Sequence, residues 1–293
     1  MIKLIYKIPG CKGKGGLATM RFSLVFGKRI LLIAAFFLCF IGMTVKPYAQ
    51  STWAHAYGTK ELDESAMAVA KTNDGGYIVA GYASGANYQM ILVIKVDSQG
   101  CIEWQKTYDR VGEDNAYSII ATSDGGYVVA GETFSQGGND MWLLKLNASG
   151  TIVWEKIYGF LYYFDYAAAI QQTTDGGYIV AGGTEVYQST GRNAWVLKLN
   201  ASGNITWQKI YAGENNDYAY AVKQTSDGGY IVAGLTTSFG AGSADGWILK
   251  LNSNGNIAWQ KAYGGSDEDY INSIIQTSDG NTLFARSYNN YRG

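Results

Sequence analysis

The chain has 293 residues but one histidine, three cysteines and two prolines. A single histidine, His55, excludes a metal site built on two His ligands and makes any Ser-His-Asp triad depend on that one side chain. His55 falls where Lys106, Lys156, Lys209 and Lys261 stand in equivalent segments, so it reads as a substitution within a repeat. Both prolines lie in the first 49 residues, which also hold eight Lys or Arg and no Asp or Glu. Arg21, Lys28 and Arg29 precede an apolar run from Ile30 to Val45, and Pro47-Tyr48-Ala49 places a small residue before Gln50. This is the pattern of a secretory signal peptide. A membrane anchor is the competing reading, but the run falls short of the roughly 20 residues that a spanning helix needs. Cys39 lacks the small residue that a lipoprotein signal sets before its cysteine.

Residues 1–49 are therefore read as an N-terminal extension with a signal peptide, and 50–293 as one repeat domain. Their separation leaves 15 basic against 24 acidic residues, a net charge near −9. Such a chain offers no basic patch for nucleic acid, and no membrane contact is expected after cleavage. Cys11 and Cys39 go with the extension, which leaves Cys101 without an internal partner, as a surface thiol or, alternatively, half of an intermolecular disulfide. No cofactor is implied by any motif.

What the sequence does have is repetition. Asp74-Gly75-Gly76-Tyr77 returns at Asp124, Asp175 and Asp227 and decays to Asp279-Gly280-Asn281-Thr282. A period of this size means that each unit completes its neighbour's core. One unit divides into four β-patterned runs, Ala116 to Thr122, Gly126 to Thr133, Met141 to Leu146 and Thr151 to Tyr158. Asp-Gly marks the first turn and Asn147-Ala148-Ser149-Gly150 the last, while Phe134 to Asp140 reads as a longer loop. Four strands in up-and-down order make a blade, so the fold class is all-β, a β-propeller of about five blades, four complete and one composite or truncated. Trp53 to Tyr57 reads as a lone fourth strand, and Ile271 to Ala285 supplies a first and a degenerate second. Either these ends close a fifth blade or the chain is part of a longer array; both remain open. Ala-Gly at the end of each second strand suits close approach of neighbouring backbones. Trp-x-Lys-x-Tyr in each fourth strand puts aromatics between blades.

Leu-Asn-x-x-Gly-x-x-x-Trp, at Leu146 to Trp154 and its counterparts, resembles the end-of-blade signature of quinoprotein-like propeller repeats, with the Asn-to-Gly spacing one residue shorter. The chain also resembles secreted bacterial and archaeal repeat proteins with Asp-Gly-Gly-Tyr-Ile-Val-Ala-Gly units, some grouped with endoglucanase-like proteins. The resemblance implies a propeller and leaves activity open.

Carboxylates recur ten residues before each Asp-Gly turn: Glu64, Asp114, Asp165, Asp217 and Asp269. They either ring the mouth of a central channel or accept hydrogen bonds from their own loops. Tyr166, Tyr218 and Tyr270 follow three of them, and Asp140 and Asp245 are expected on the same rim. A carboxylate beside an aromatic face suits a sugar. The clearest departure from the repeat is Phe160-Leu161-Tyr162-Tyr163-Phe164, which replaces polar loops such as Gly213 to Asn216; Phe160, Tyr162 and Tyr163 are the candidate contacts. Asn147, Asn200 and Asn204 match the glycosylation sequon but read as turn residues. The expected function is a secreted or cell-surface binding module, not an enzyme, for a glycan or another surface protein. The alternatives are a glycoside hydrolase and, more remotely, a quinone-dependent dehydrogenase, which would want adjacent cysteines and more blades.

The extension makes a direct prediction. N-terminal sequencing of the exported protein is expected to begin near Gln50; a membrane fraction retaining residues 20–45 would make the segment an anchor.

Overall fold

The computed structural model describes residues 55–58, 62–84, 88–135, 137–185, 191–277 and 279–289, with side chains to 285. The export segment, its cleavage point and Trp53 lie outside them. Every regular element among the described residues is a strand. The first sheet runs β1 (Glu64–Lys71), β2 (Tyr77–Ser84), β3 (Gln89–Val96) and β4 (Ile102–Tyr108), each antiparallel to the next. The second repeats this with β5 (Asp114–Ala121), β6 (Tyr127–Ser135), β7 (Gly138–Leu146) and β8 (Ile152–Tyr158). The third has β9 (Tyr166–Gln172), β10 (Tyr178–Glu185), β11 (Arg192–Leu199) and β12 (Ile205–Tyr211). The fourth has β13 (Asp217–Gln224), β14 (Tyr230–Thr236), β15 (Asp245–Leu251) and β16 (Ile257–Tyr263). A fifth sheet holds only β17 (Glu268–Gln276) and β18 (Thr282–Asn289). These are propeller blades. The segment from Phe134 to Asp140, expected as a loop, is mostly strand, because Phe134 pairs with Asn139 and Ser135 with Gly138.

Middle strands are buried on both faces, as their near-continuous apolar runs require: Tyr127 to Gly131 and Met141 to Leu146 are all buried. Fourth strands alternate exposed and covered residues, as outer strands do. Each core spans two neighbouring blades. Ile78 and Val93 of the first pack with Ile119, Tyr127 and Leu144 of the second, whose opposite face sends Val128 and Leu143 against Ile170 and Trp195 of the third. Each fully buried aliphatic side chain contributes about 1.5 to 3 kcal/mol, so no blade holds its shape without a neighbour.

The Asp-Gly turn is pinned from within its own blade. In the second blade Gly125 takes φ of 81°, and Asp124 Oδ1 accepts the Gly126 N–H at 3.0 Å and the Thr122 hydroxyl. The other oxygen pairs at 2.8 Å with Lys145, a buried third-strand ammonium. Lys95, Lys198 and Lys250 hold Asp74, Asp175 and Asp227 in the same way, each at 2.8 Å. In the fifth sheet, Asp279 accepts the Asn281 side-chain amide instead.

Blades are joined turn to strand. Tyr108, Tyr158 and Tyr211, each ending a fourth strand, donate to the carbonyls of Gly150, Gly203 and Gly255 in the next blade's last turn. Tyr57 does the same to Gly100, as a fourth strand ahead of the first blade would. Trp104 and Trp207 donate to Ala148 and Ser253 in the same turns. Trp259 meets no such turn among the described residues and is 41% exposed. At the rim of the Asp-Gly turns, first strands reach backward: Gln172, Gln224 and Gln276 accept the backbone N–H of Ser123, Thr174 and Ser226, each at 2.9 Å. Ala121 fills that position in the second blade, opposite Tyr127 as Gln172 is opposite Tyr178.

Two expectations change. Cys101 is disulfide-bonded rather than a free surface thiol. The glycine of Ala-Gly serves its own blade, not the approach of two blades. A β-carbon on Gly81, Gly131, Gly182 or Gly234 would stand 1.8 Å from a first-strand carbonyl where the register shifts. The sequon asparagines are turn residues as read: Asn147 Oδ1 accepts from Ser149 and Thr151, and Asn200 Oδ1 from Ser202 and Asn204.

The close glycine contact sets a stability test. Gly182→Ala drives a methyl into the Tyr166 carbonyl and is expected to destabilise by about 1 to 3 kcal/mol. Gly265→Ala, where nothing lies within 4 Å, is expected to stay within about 0.5 kcal/mol. Equal melting temperatures for the two variants would refute the packing argument.

Candidate functional site

The aspartates that open the first strands are closed to solvent. Asp114, Asp165 and Asp217 are 0% exposed and Asp269 is 1% exposed. Each closes its own loop, with Oδ2 accepting the backbone N–H of Arg110, Phe160 or Gly213 at 2.6 Å, or of Gly265 at 2.9 Å. The other oxygen faces the second strand. Thr236 donates to Asp217, while Thr133 and Thr184 stand beside Asp114 and Asp165 in less favourable geometry. Glu64, half-buried in the first blade, faces Ala83 instead of a threonine. Of the two expected arrangements, the structure has the one in which the carboxylates brace loops rather than ring an open mouth.

Asp140 and Asp245, from third strands, are also buried and join two of these aspartates across blades. A β-carbon on Gly159 would lie 1.7 Å from Asp140 Oδ1 and 2.9 Å from Asp165 Oδ2; one on Gly264 would lie 1.8 Å from Asp245 Oδ1 and 2.8 Å from Asp269 Oδ2. Two carboxyl groups therefore meet over one glycine at each place. Where Asn193 replaces the third-strand aspartate, Ala212 replaces the glycine. Burial raises the pKa of Asp165 to about 6, with the charge of Asp140 adding to it, and burial raises Asp140 as well.

The tyrosines that follow these aspartates point the other way, since adjacent strand residues face opposite sides. Tyr166 meets Tyr117 of the preceding blade edge-on at 6.3 Å, and Tyr218 stacks on Tyr220 at 5.9 Å. Tyr117 donates to Glu132 at 2.6 Å, and Tyr270 to Glu268 at 2.5 Å. Glu185 pairs with Arg192 at 2.8 Å. Burial raises the pKa of Tyr220 to about 12 and raises Tyr117 and Tyr166 also, so all three remain protonated donors. The result is a half-buried tyrosine surface along successive first strands, with Glu132, Glu185 and Arg192 among the rings.

The aromatic loop divides into anchors and exposed groups. Phe160 packs on Trp195 with ring centroids 5.4 Å apart, and Tyr163 is half-buried over Gly138. Tyr162 is 71% exposed, Leu161 54% and Phe164 46%. Gly137 gives Tyr162 its seat: a β-carbon there would meet the ring at 2.9 Å. Tyr162 also holds φ of 70°, the left-handed value found at no other non-glycine residue described. The Phe164 carbonyl accepts the Glu185 N–H at 3.2 Å, which joins the loop to the Glu185–Arg192 pair. Of the three expected contacts, Tyr162 is exposed while Phe160 and Tyr163 anchor the loop; Leu161 and Phe164, which the sequence did not single out, are exposed as well. The hydrophobic run gave the loop but not its orientation. No group of three or more His, Cys, Asp or Glu able to hold a metal occurs among the described residues.

The model of a domain of unknown function, DUF5122, described as a beta-propeller, matches residues 122–152 and 225–257. These stretches run from the Asp-Gly turn through the last turn of the second and fourth blades. No curated protein matches the chain. Among solved structures, it is similar to a protein of unknown function from Bacteroides caccae, at 14% identity and a TM-score of 0.40 over 70% of this chain and 83% of that one. A periplasmic gluconolactonase of Pseudomonas aeruginosa gives 10% identity and a TM-score of 0.48 over 76% and 65%. A puromycin hydrolase gives 12% and 0.48, the match spanning 75% of this chain and 35% of the hydrolase. No function follows from scores of this size.

The Asp165 environment sets a pH test. An unfolded aspartate titrates near about 3.9, so between there and about 6 the folded state binds the extra proton. Stability from this group is full below about 4, falls as pH rises to about 6 and is level above. Asp165→Asn keeps the acceptor for the Phe160 N–H and is expected to flatten that fall in melting temperature. The turn aspartates act with opposite sign and lower down. Despite opposing burial, Lys145 and Lys198 help depress Asp124 and Asp175 to about 2, so their contribution is lost as pH falls from about 4 to about 2.

Proposed function

We propose that the chain is a secreted or cell-surface binding module whose ligand is a glycan, taken on the face formed by the aromatic loop and the first-strand tyrosines. The observation that carries this reading is the exposure of Leu161, Tyr162 and Phe164 where equivalent loops are polar. Exposed apolar clusters rimmed by polar groups mark interaction surfaces. Flat rings beside Glu132, Glu185 and Arg192 suit a sugar, which has one apolar face and many hydroxyl groups. The acidic mature chain argues against nucleic acid. A surface protein is the other ligand class for the same face.

One observation favours a second reading, glycoside hydrolysis: Asp165, with its pKa raised to about 6, beside Asp140. Such enzymes hold their carboxyl groups about 5 to 9.5 Å apart with the sugar between. Here both oxygens crowd one glycine behind buried walls, so binding is preferred.

Leu161→Ser, Tyr162→Ser and Phe164→Ser combined are expected to abolish binding to array glycans that carry no N-acetyl group, each moving stability by no more than about 0.5 kcal/mol. Phe160→Ala, which uncovers Trp195, is expected to lower the melting temperature instead. Undiminished binding by the triple variant would refute the assignment of the face, and a partner captured only among proteins would exclude the glycan.

A further inference from the structure

Among the described residues, three of the four junctions between consecutive sheets are closed by a glutamine carboxamide. Its Oε1 accepts a backbone N–H from the preceding blade's Asp-Gly turn at 2.9 Å, and the Nε2 of Gln172 and Gln276 faces the carbonyls of Gly176 and Gly280 at 3.5 and 3.3 Å. At the junction of the first and second blades the residue is Ala121, whose methyl supplies neither atom, and a cleft of about 380 Å³ opens there. Asn73, whose N–H holds the position of Ser123, Thr174 and Ser226, lines it together with Asp74, Glu103, Trp104, Ala121 and Tyr127. That volume falls in the range of small-molecule sites. The aromatic walls are not what differs. Trp104 and Tyr127 lie 5.9 Å apart, against 6.0 Å for Trp154 and Tyr178 and 5.8 Å for Trp207 and Tyr230. The missing glutamine, Glu103 and Asn73 differ: Val153, Thr206 and Ala258 fill the position of Glu103 in the other blades, and the side-chain amide of Asn73, where the others have Ser or Thr, faces the Thr122 carbonyl at 3.5 Å. Glu103 and Asp74 are 45% and 55% exposed, and both are held by the buried Lys95 at 2.9 and 2.8 Å.

We propose that this cleft binds an N-acetylated hexosamine, whose acetamido group takes the place of the missing glutamine carboxamide. The acetamide carbonyl accepts the Asn73 N–H as Oε1 does elsewhere, and its methyl packs on Ala121. The apolar face of the sugar ring lies against the half-buried Trp104, which the buried Tyr127 backs, and its hydroxyls donate to Glu103 and Asp74. A glutamine or asparagine side chain of a peptide would bring the same amide. The sugar is favoured because two carboxylates against one lysine leave surplus acceptors, which hydroxyl groups use. The site lies at the opposite end of the first strands from the aromatic loop and does not depend on the reading given to that face.

The test uses the full chain, with N-acetylglucosamine followed by calorimetry and by tryptophan fluorescence. Millimolar binding is expected, and glucose, without the acetamido group, is expected to bind at least about tenfold more weakly. Ala121→Gln installs the chain's own plug and is expected to cost at least about tenfold in affinity with the melting temperature unchanged or raised. Glu103→Val, the residue of the next blade, is expected to weaken the sugar and spare the fold. The Leu161, Tyr162, Phe164 triple variant is expected to bind N-acetylglucosamine as the parent does, which separates this site from the other. Absence of binding by the parent chain, equal binding by Ala121→Gln, or equal binding of glucose would overturn the proposal. So would a preference for N-acetylglutamine amide over the sugar.

Discussion

The ion pair between the Asp-Gly turn of each four-stranded blade and a largely buried lysine of its third strand is the constraint from which the blades take their form. An ammonium withdrawn from water must keep a partner, and losing the partner is worse than never having buried the charge. Lys145 meets the requirement with Asp124, the Thr122 hydroxyl and the Leu146 carbonyl. The turn between the first two strands is thereby tied to the third. Because the aspartates are more than half exposed, the pairs add less energy than geometry. They set where the turn sits, and the turn in turn presents the N–H that the next blade's glutamine accepts.

Two kinds of surface result. At the rim of the Asp-Gly turns, the copied parts interlock and leave little to recognise except where one copy departs. At the other rim, the buried aspartates brace loops that then vary freely, and one of these carries the exposed Leu161, Tyr162 and Phe164. The bracing explains how a loop of five apolar or aromatic residues persists at a surface. Asp165 holds its entry through the Phe160 N–H, Trp195 takes one ring, and two glycines of the preceding blade form its seat.

The architecture was legible because the period of the repeat and the turn chemistry report local geometry, and local geometry is what a four-stranded blade is made of. Asp114 and its counterparts were visible as a recurring class, and one of two readings, that they close their own loops, is the one found. The pairing of Asp165 with Tyr166 as one sugar-binding unit was not sound, since alternation along a strand separates neighbours in sequence. The lysines at 95, 145, 198 and 250 recur as regularly as the aspartates, yet burial of a charged group is a tertiary fact that no window of sequence contains. Ala121 was likewise in view as the odd member of a set with Gln172, Gln224 and Gln276. Its meaning depends on knowing that the glutamines reach a backbone 49 or 50 residues away.

That reach, always one unit long, has a consequence for how such a chain is assembled and how it changes. The bonds between blades span 24 to 53 residues, so each closes over a loop of modest length, and the sequence separation of these bonds does not grow as units are added. A blade can form as soon as its predecessor exists, in the order in which the chain is made. The joining groups at one edge of a unit match those at the other, so a whole unit can be duplicated or lost in a gene and the flanking units will find the same donors and acceptors. A change in one junction, such as an alanine for a glutamine, stays confined to that junction and is free to become something the other copies are not.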